Sequence, residues 1–465
     1  MHFGSPETLY IGSLVPNLQI FTMANKFDSA SATGKIFQTN FAPVSSLDIF
    51  EGDSLQICVT DEVKFDQRSN FQFNDNSEII VHIEPSMTLY TAPDLTLNCE
   101  LELTVEENGQ NVGIKDSDVN ICPTTMPIST LFSDITCKLG NQIVTSKSNL
   151  YPYIGYLFQT HLTENDEYPL LEGQSLAYRF KSLNKPDDSD DKQSYVRSVF
   201  SEKKKVLISG KIYLPIFLQQ KALLNNVGIT LIFSQTSSEF RVLDMKTGRK
   251  AKLSIKDLWV SGRRMQLNDR LLITMLDTLK EQNAIYPIQR WMVDESNVPL
   301  GNQHFSKTLT LVTSQVPDYV FLMCVETDAV RGNYKKSPFK SNILQLESAQ
   351  IVLENKAFPP TPFKPNSANG ILRAFSEYKH CIKNITGHHN WVDIDAYQKD
   401  YGILAFKLSR SETEDANIGS LPRGGVATLN LIFNSQTTTS QTIILFYCYR
   451  NKITFNSVMI PSTDY

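Results

Sequence analysis

Residues 130–159 read TLFSDITCKLGNQIVTSKSNLYPYIGYLFQ, and this stretch decides the fold that we predict. It predicts a strand that ends in a tight turn at Gly140-Asn141, followed by a second short strand. Tyr151-Pro152-Tyr153 then leads into an amphipathic helix. We assign no chemistry to these residues, so the stretch is informative about architecture.

The bulk composition is that of a large globular protein. The chain has 465 residues, enough for two large domains or three ordinary ones. Hydrophobic residues make up 41% and charged residues 20%, and the mean hydropathy is −0.22, which argues against a membrane protein or a disordered one. The formal net charge of −5 gives no support to a general polyanion-binding role.

The cysteines and the apolar runs indicate where the chain folds. Seven cysteines are scattered without any CxxC motif, which predicts free thiols in a reducing cytosolic or nuclear environment. No run of 18 apolar residues occurs, and the N-terminal residues lack a basic region before an apolar one. We therefore predict neither a transmembrane helix nor a signal peptide.

Strands dominate the periodicity. From Leu95 to Val105 the odd positions are apolar and the even positions polar, which predicts a strand with one buried face. The same alternation returns from Val206 to Leu214, from Ile229 to Phe233 and from Ala427 to Phe433. By contrast, Thr442–Tyr449 is apolar on both faces and predicts a fully buried strand.

Predicted helices are short and few. One covers Tyr151–His161, one follows the candidate cap Asn268-Asp269, and one covers Trp391–Tyr401. Such helices between many short strands indicate an all-β sandwich or barrel. We interpret Thr163–Glu167 as an exposed insertion and the proline-rich segment Phe358–Pro365 as an extended connector.

Motifs along most of the chain, from about Leu47 almost to the C-terminus, occur in the order found in one protein family. Together they resemble the double jelly-roll major capsid proteins of Polinton/Maverick elements, adintoviruses and polinton-like viruses. The resemblance depends on their collinear order, because no single motif is specific. Besides the stretch 130–159, they are Ala92-Pro93-Asp94-Leu95, Ser209–Leu214, Leu223–Val227, Ala284–Ile288, Gly332-Asn333-Tyr334, Pro338-Phe339, Tyr401-Gly402, Arg423-Gly424-Gly425 and Leu445-Phe446-Tyr447.

This resemblance implies a fold class and a function. The fold would be all-β, with two consecutive eight-stranded jelly-roll barrels and short inserted helices. The protein would be a major capsid protein that self-assembles as a pseudo-hexameric homotrimeric capsomer of an icosahedral shell. Its partners would be further copies of itself, penton proteins and other minor capsid proteins. It would reside in the virion after assembly in the host cytoplasm or nucleus.

With this fold in view, we divide the chain at polar segments. Residues 1–46 are predicted as an N-terminal arm and residues 47–244 as the first jelly roll. The basic segment 245–252 is predicted as the inter-barrel linker. Residues 253–465 are predicted as the second jelly roll with a C-terminal tail.

Two other function classes compete with the capsid interpretation. A tandem β-sandwich protein could bind glycans in the manner of a lectin, through aromatic residues in its loops. Such a protein would usually carry a secretion signal, which we do not find. A minor structural protein such as a penton or spike is a third option, although two barrels in one chain argue against the usual single-barrel penton.

The sequence predicts no catalytic residue, no cofactor and no metal site. It contains no GxSxG, GxxxxGK[ST], HExxH or GxGxxG motif, so we predict that the protein is not an enzyme. His380-Cys381 and His388-His389 are the densest group of potential zinc ligands. Because no second cysteine lies near and the sequence of the segment is loop-like, we favour a surface or turn role.

The acidic stretch Pro186–Lys192 contains Asp187, Asp188, Asp190 and Asp191. These residues lack the spacing, the glycine and the closing glutamate of an EF-hand, so a solvated loop is the better interpretation. We expect the stretch to lie on the surface and to be dispensable for folding.

Basic segments receive a similar interpretation. We assign Glu202–Lys205 and Lys246–Lys252 to solvated strand ends and the linker, and Arg423-Gly424-Gly425 to a turn. The N-terminal residues are too poor in Lys and Arg to condense DNA, so we predict no specific nucleic-acid binding. We expect them instead to form a strap that packs through apolar side chains, namely Leu18, Ile20, Phe21 and Phe27.

Overall fold

The computed structural model describes residues 57–67, 77–107, 109–115, 117–183, 190–309, 315–408 and 426–465. Residues Cys58–Tyr465 form one compact unit. Several predictions lie outside the described residues: the N-terminal arm and its strap, the Arg423-Gly424-Gly425 turn, and the first four residues of the acidic stretch.

The first part of the chain is built around eight strands of a barrel. The described strands are β1 (Ile57–Asp66), β2 (Ile79–Ile83), β3 (Leu89–Thr91), β4 (Thr96–Glu107), β5 (Gln110–Gly113), β6 (Ile121–Pro123), β7 (Phe132–Leu139), β8 (Gln142–Ile143), β9 (Lys205–Lys211), β10 (Ile229–Gln235), β11 (Val242–Asp244) and β12 (Lys250–Leu267). One sheet has the order β1-β12-β4, with β9 and β5 both pairing with β4, and the other has the order β2-β10-β7-β8. The helices are α1 (Pro127–Thr130), α2 (Tyr151–Tyr156), a π-helical turn (Leu157–Leu162), α3 (Tyr168–Ser175), α4 (Asp191–Val199), α5 (Pro215–Leu218) and α6 (Ser238–Arg241).

The remaining part repeats this arrangement. The described strands are β13 (Ala284–Val298), β14 (His304–Leu309), β15 (Tyr319–Glu326), β16 (Leu346–Leu353), β17 (Lys356–Phe363), β18 (Leu404–Lys407), β19 (Ala427–Phe433), β20 (Gln441–Phe455) and β21 (Pro461–Thr463). One sheet has the order β13-β20-β15-β18, and the other has the order β14-β19-β16-β17. The helices are α7 (Asp269–Glu281), α8 (Thr327–Arg331), α9 (Ala368–Thr386) and α10 (Ile394–Lys399).

The strand orders define the fold. The eight main strands of the first part, in chain order, are β1, β2, β4, β7, β8, β9, β10 and β12, and those of the second part are β13 to β20. In each part these strands occur in the spatial order first-eighth-third-sixth in one sheet and second-seventh-fourth-fifth in the other, which is the order of a jelly roll. Every pairing that the structure registers is antiparallel, from β4 with β12 to β13 with β20. The predicted fold class, a double jelly roll, is thus confirmed.

The predicted linker 245–252 is wrong for its last residues. Lys250, Ala251 and Lys252 begin β12, and they pair with Glu106, Val105 and Thr104 of β4. Residues 253–267, assigned to the second jelly roll, continue the same strand and belong to the first barrel's sheet. Sequence alone misplaced this strand because its exposed side chains are basic, whereas its ladder partners lie about 150 residues earlier. Among the described strands, those before α7 and those after it pair only within their own group.

The proline-rich segment is extended, but it is not a connector. Most of it forms β17, which pairs with β16 at the edge of a sheet. Proline has no N–H to donate, so an edge position tolerates it. Gln350 satisfies two carbonyl groups of this segment, because its Nε2 donates to the carbonyl oxygens of Pro359 at 2.9 Å and Pro360 at 3.3 Å.

The burial of the strands agrees with the predicted periodicity for the apolar positions, whereas Asn98 and Thr104 on the polar face of β4 are buried as well. All the odd positions from Leu95 to Val105 are buried, and Gln441–Tyr449 of β20 is buried at every position. The turn at Gly140 lies between β7 and β8 with a φ of 57°. In the part of the chain with described side chains, six cysteines are buried free thiols. No helix there is long and apolar enough to cross a membrane.

The helices are more substantial than predicted. Asn268 caps α7 as expected, since its side chain accepts a hydrogen bond from the Arg270 amide. The 19-residue helix α9 was missed, although Ile371, Ala374, Tyr378 and Ile382 give it a buried stripe at helical spacing. The helix predicted over Trp391–Tyr401 is present as the shorter α10.

Candidate functional site at the barrel contact

Each barrel contains a helical insertion between its fifth and sixth main strands, which are β8 and β9 in the first barrel and β17 and β18 in the second. The first insertion, residues 144–204, contains α2, the π-helical turn, α3 and α4. The second insertion, residues 364–403, contains α9 and α10. The two barrels meet at these insertions, and we call this contact the seam. The first insertion lies on one side of the seam, and residues 332–345 and the second insertion lie on the other.

Phe339 is the aromatic centre of the seam. It lies on the connection between β15 and β16 and is completely buried. Its ring stacks on Tyr156 with centroids 5.0 Å apart, and it meets Tyr153 and Phe240 edge-on at 5.6 and 5.8 Å. The Tyr153 hydroxyl donates to the Pro338 carbonyl at 3.1 Å. A second-barrel loop thereby fills a pocket formed by first-barrel aromatic residues.

Hydrogen bonds of Tyr334 extend the seam toward β12. The Asp244 amide donates to the Tyr334 carbonyl at 2.8 Å, and the Tyr334 hydroxyl donates to the Ala251 carbonyl at 2.9 Å. Gly332 has a φ of 98°, and a Cβ there would meet Ser237 Oγ at 3.0 Å. Glycine is therefore required at this close approach. The motifs Gly332-Asn333-Tyr334 and Pro338-Phe339 thus meet the first barrel directly.

A buried polar cluster links the two insertions. His161 of the π-helical turn is inaccessible to solvent, and its Nδ1 lies 2.7 Å from the Tyr378 hydroxyl of α9. Asn390 Nδ2 donates to the His161 carbonyl at 2.7 Å and to the Tyr378 hydroxyl at 2.5 Å. Lys379 Nζ donates to Asn390 Oδ1 at 2.6 Å. Burial lowers the pKa of His161 to about 3, and the Lys379 charge acts in the same direction.

Two further contacts secure the far side of the seam. Asp400 is buried and accepts a hydrogen bond from the Leu183 amide at 3.0 Å. The neighbouring Tyr401 hydroxyl donates to the Phe180 carbonyl at 2.9 Å. These bonds satisfy polar groups that would otherwise be buried without partners, which costs about 1–3 kcal/mol each.

Arg179 lies between two aromatic rings from different barrels. Its guanidinium carbon is 3.5 Å from the Tyr168 ring centroid and 4.6 Å from that of Trp391. Burial lowers the pKa of Arg179, while Tyr168 and Glu172 oppose that shift. The two cation–π contacts hold the first insertion against the second.

The predicted zinc candidates do not converge. His380 is exposed on α9, whereas the adjacent Cys381 is buried in the core, and His388 and His389 follow the end of the helix. The segment around His380 and Cys381 is therefore helical and not loop-like as predicted. Among the described residues, no group of three or more His, Cys, Asp or Glu side chains could hold a metal ion.

The described residues of the acidic stretch, 190–192, form the start of a helix and not a solvated loop. Asp190 is buried and caps α4, because its Oδ1 accepts from the Lys192 amide at 3.1 Å. Its Oδ2 accepts from the Lys181 amide at 2.6 Å. The prediction that the whole of Pro186–Lys192 is exposed is thus wrong for Asp190, which is buried and caps a helix. That the stretch is dispensable for folding stays a prediction. Asn165–Glu167 are exposed, in agreement with the prediction for that insertion.

The basic segment Lys246–Lys252 contains residues that form ion pairs within the protein. The Arg249 side chain is only 5% exposed, and it donates to both carboxylate oxygens of Asp244, at 2.8 and 2.9 Å, and also to Asp118. Lys246 pairs with Asp118 at 3.4 Å. In the basic segment Glu202–Lys205, Lys205 pairs with Glu100 at 3.3 Å. Arg249 in particular is held by carboxylates inside the protein and is unsuited to bind phosphate.

Sequence reasoning missed His161, Arg179, Tyr378, Asn390 and Asp400. The one signal for them was polar residues next to aromatic ones within helical segments, such as His161 after Tyr156 in an apolar helix. That signal does not identify partners, because Tyr378 follows His161 by 217 residues.

Comparison with known proteins by sequence gives limited similarity. No family model matches the chain. An uncharacterized protein of Caenorhabditis elegans is 24% identical over 236 residues, or 50% of this chain, and the match spans 56% of that relative, about half its length.

Solved structures match almost the whole chain. The Sputnik virophage structure aligns with a TM-score of 0.62 at 11% identity and covers 94% of this chain and 93% of its own. The mavirus major capsid protein aligns with a TM-score of 0.55 at 10% identity and covers 99% of this chain and 97% of its own. The PBCV-1 virus capsid aligns with a TM-score of 0.54 at 12% identity and covers 88% of this chain and 97% of its own. The chain therefore has the double jelly-roll fold that these viral capsid structures contain.

Proposed function

We propose that this protein is a major capsid protein that assembles as a pseudo-hexameric homotrimer in an icosahedral shell. The observation that carries the proposal is the repeated jelly-roll strand order within one chain, matched over its length to viral capsid structures. Three copies of a two-barrel subunit present six similar walls, which suits the tiling of a shell. The seam supports this role, because it makes the two barrels one compact body.

The proposal includes the partners and the place of action. The protein would bind copies of itself, penton proteins and other minor capsid proteins, would reside in the virion, and would be assembled in the host cytoplasm or nucleus. It would act without enzymatic chemistry and bind duplex DNA weakly. No comparison supports the lectin-like alternative.

The oligomeric state tests the proposal. Light scattering coupled to size exclusion should give a mass of about 158 kDa, three times the 52.6 kDa chain. Negative-stain images of the same fraction should show a six-sided particle. A clean monomer at micromolar concentration would contradict the proposal and revive the glycan-binding alternative.

A further inference from the structure

The seam contains one titratable group whose surroundings suit only its neutral form. The His161 ring is buried, and its Nε2 atom has no hydrogen-bond partner among the described residues. Whichever tautomer forms the Nδ1 contact with Tyr378, Nε2 remains unpaired. Protonation would place an N–H on both nitrogens and bury a charge without an acceptor for one of them.

The charged and titratable neighbours do not compensate for a proton. The groups facing His161 are the Tyr156 ring from α2 at 5.1 Å, the Tyr378 hydroxyl and the Lys379 ammonium from α9. Lys379 is itself positive. The carboxylates in this region act elsewhere: Asp393 on Lys379, and Asp400 on Lys340 and the Leu183 amide.

The position of His161 makes this unfavourable protonation consequential. It lies in a π-helical turn, a geometry that is rare and often occurs at functional positions. Its carbonyl and its Nδ1 both contact the second insertion, through Asn390 and Tyr378. Separating the insertions would expose His161 to water and allow it to take up a proton.

From this geometry we propose that the seam is an acid-sensitive latch, in which protonation of His161 favours separation of the two helical insertions. The device goes beyond the proposed capsid function, and it operates within one subunit whatever its oligomeric state. The sign follows from linkage. The pKa is about 3 in the closed seam and about 6.5 when His161 is in water, so the closed form loses stability as pH falls from about 6.5 toward 3. For one proton, this predicts a seam-opening constant about 30-fold larger at pH 5.0 than at pH 7.4.

Hydrogen exchange measured by mass spectrometry tests the latch. Exchange of the amides of Leu157–Leu162 and of α9, corrected for the intrinsic pH dependence, should show the about 30-fold increase in opening at pH 5.0. Amides of the buried strand β20 should change by less than about threefold, since they do not open with the seam.

Variants make the test specific to His161. His161→Asn keeps an acceptor near the Nδ1 position but does not titrate, so its pH response should fall below about threefold. His161→Gln provides a second non-titrating variant if the first does not fold. His304→Asn is the matched control, because His304 is exposed on β14. It should behave as the wild type does. A wild-type protein without the increase, or a folded His161 variant that retains it, would overturn the proposal.

Discussion

The two barrels share one strand order but differ in the insertion between their fifth and sixth strands. In the first barrel, the described part of the insertion is divided into short helices around a π-helical turn. In the second barrel, α9 alone provides 19 residues and lies against β17 and β18. Strand order is constrained by the hydrogen-bonded ladders, whereas an insertion outside the ladders is free to diverge.

The two insertions also contribute different kinds of groups to the seam. The first insertion contributes buried groups that need partners, such as His161 and the Leu183 amide. The second insertion and its neighbouring loop contribute those partners, including Tyr378, Asp400 and Phe339. Each barrel is therefore incomplete at this end without the other.

The largest expected effect comes from breaking the aromatic contact between the barrels. Phe339→Ala should lower the free energy of unfolding by about 3–5 kcal/mol, because it leaves a cavity among buried rings. It should also separate denaturant unfolding into two transitions, as the barrels lose their shared core. Urea titration followed by circular dichroism and tryptophan fluorescence measures both quantities.

Phe363→Ala is the matched control for this substitution. Phe363 is equally well buried, but its aromatic partner Phe406 lies within the second barrel. We expect Phe363→Ala to lower the free energy of unfolding by a similar amount while denaturant unfolding keeps a single transition. If Phe339→Ala cost less than about 1 kcal/mol, the seam would not couple the barrels.

A smaller effect is expected inside the first insertion alone. Asp190→Ala removes the cap of α4 and leaves the Lys181 amide without its acceptor, which should cost about 2 kcal/mol. Thermal and urea unfolding measure this loss. Asp191→Ala is the control: Asp191 is exposed at the first helical position, and a much smaller change is expected. Equal losses from both substitutions would show that Asp190 has no special role.

The smallest effect concerns the connections before the last strand of each barrel. In the first barrel, Arg249 at the end of this connection pairs with Asp118, which lies between β5 and β6. Burial raises the pKa of Asp118, but its hydrogen bond and ion pair with Arg249 outweigh burial and lower the pKa to about 2. The corresponding connection in the second barrel, residues 434–440, contains no charged residue.

A depressed carboxyl pKa contributes stability above about pH 4 that is lost as pH falls toward 2. Between pH 4 and pH 3 this site should lose about 1 kcal/mol, a slope that Asp118→Asn abolishes. Urea midpoints at the two pH values measure the slope. Asp166→Asn, at an exposed position, should retain the wild-type slope. An unchanged slope in Asp118→Asn would contradict the assignment.

Local patterns in the sequence were sufficient for the strands and for one helix cap. The alternation from Leu95 to Val105 and the apolar run in β20 predicted the buried apolar positions correctly, because side chains of a strand point alternately to its two faces. Asn268 predicted the start of α7 for a similarly local reason, since a cap bonds to amides within the next turn. The order of the family-like motifs added the expectation of two barrels.

Tertiary structure alone decided what depends on residues far apart in the chain. Lys250–Lys252 read as a linker until their pairing with β4 placed them in a strand. Phe358–Phe363 became an edge strand because β16 supplied a partner and the edge tolerated its prolines. His161 acquired its burial and its partner from α9, 217 residues later. A local period specifies which face of an element is apolar, but it contains no information about which distant surface will cover that face or which polar groups will meet there.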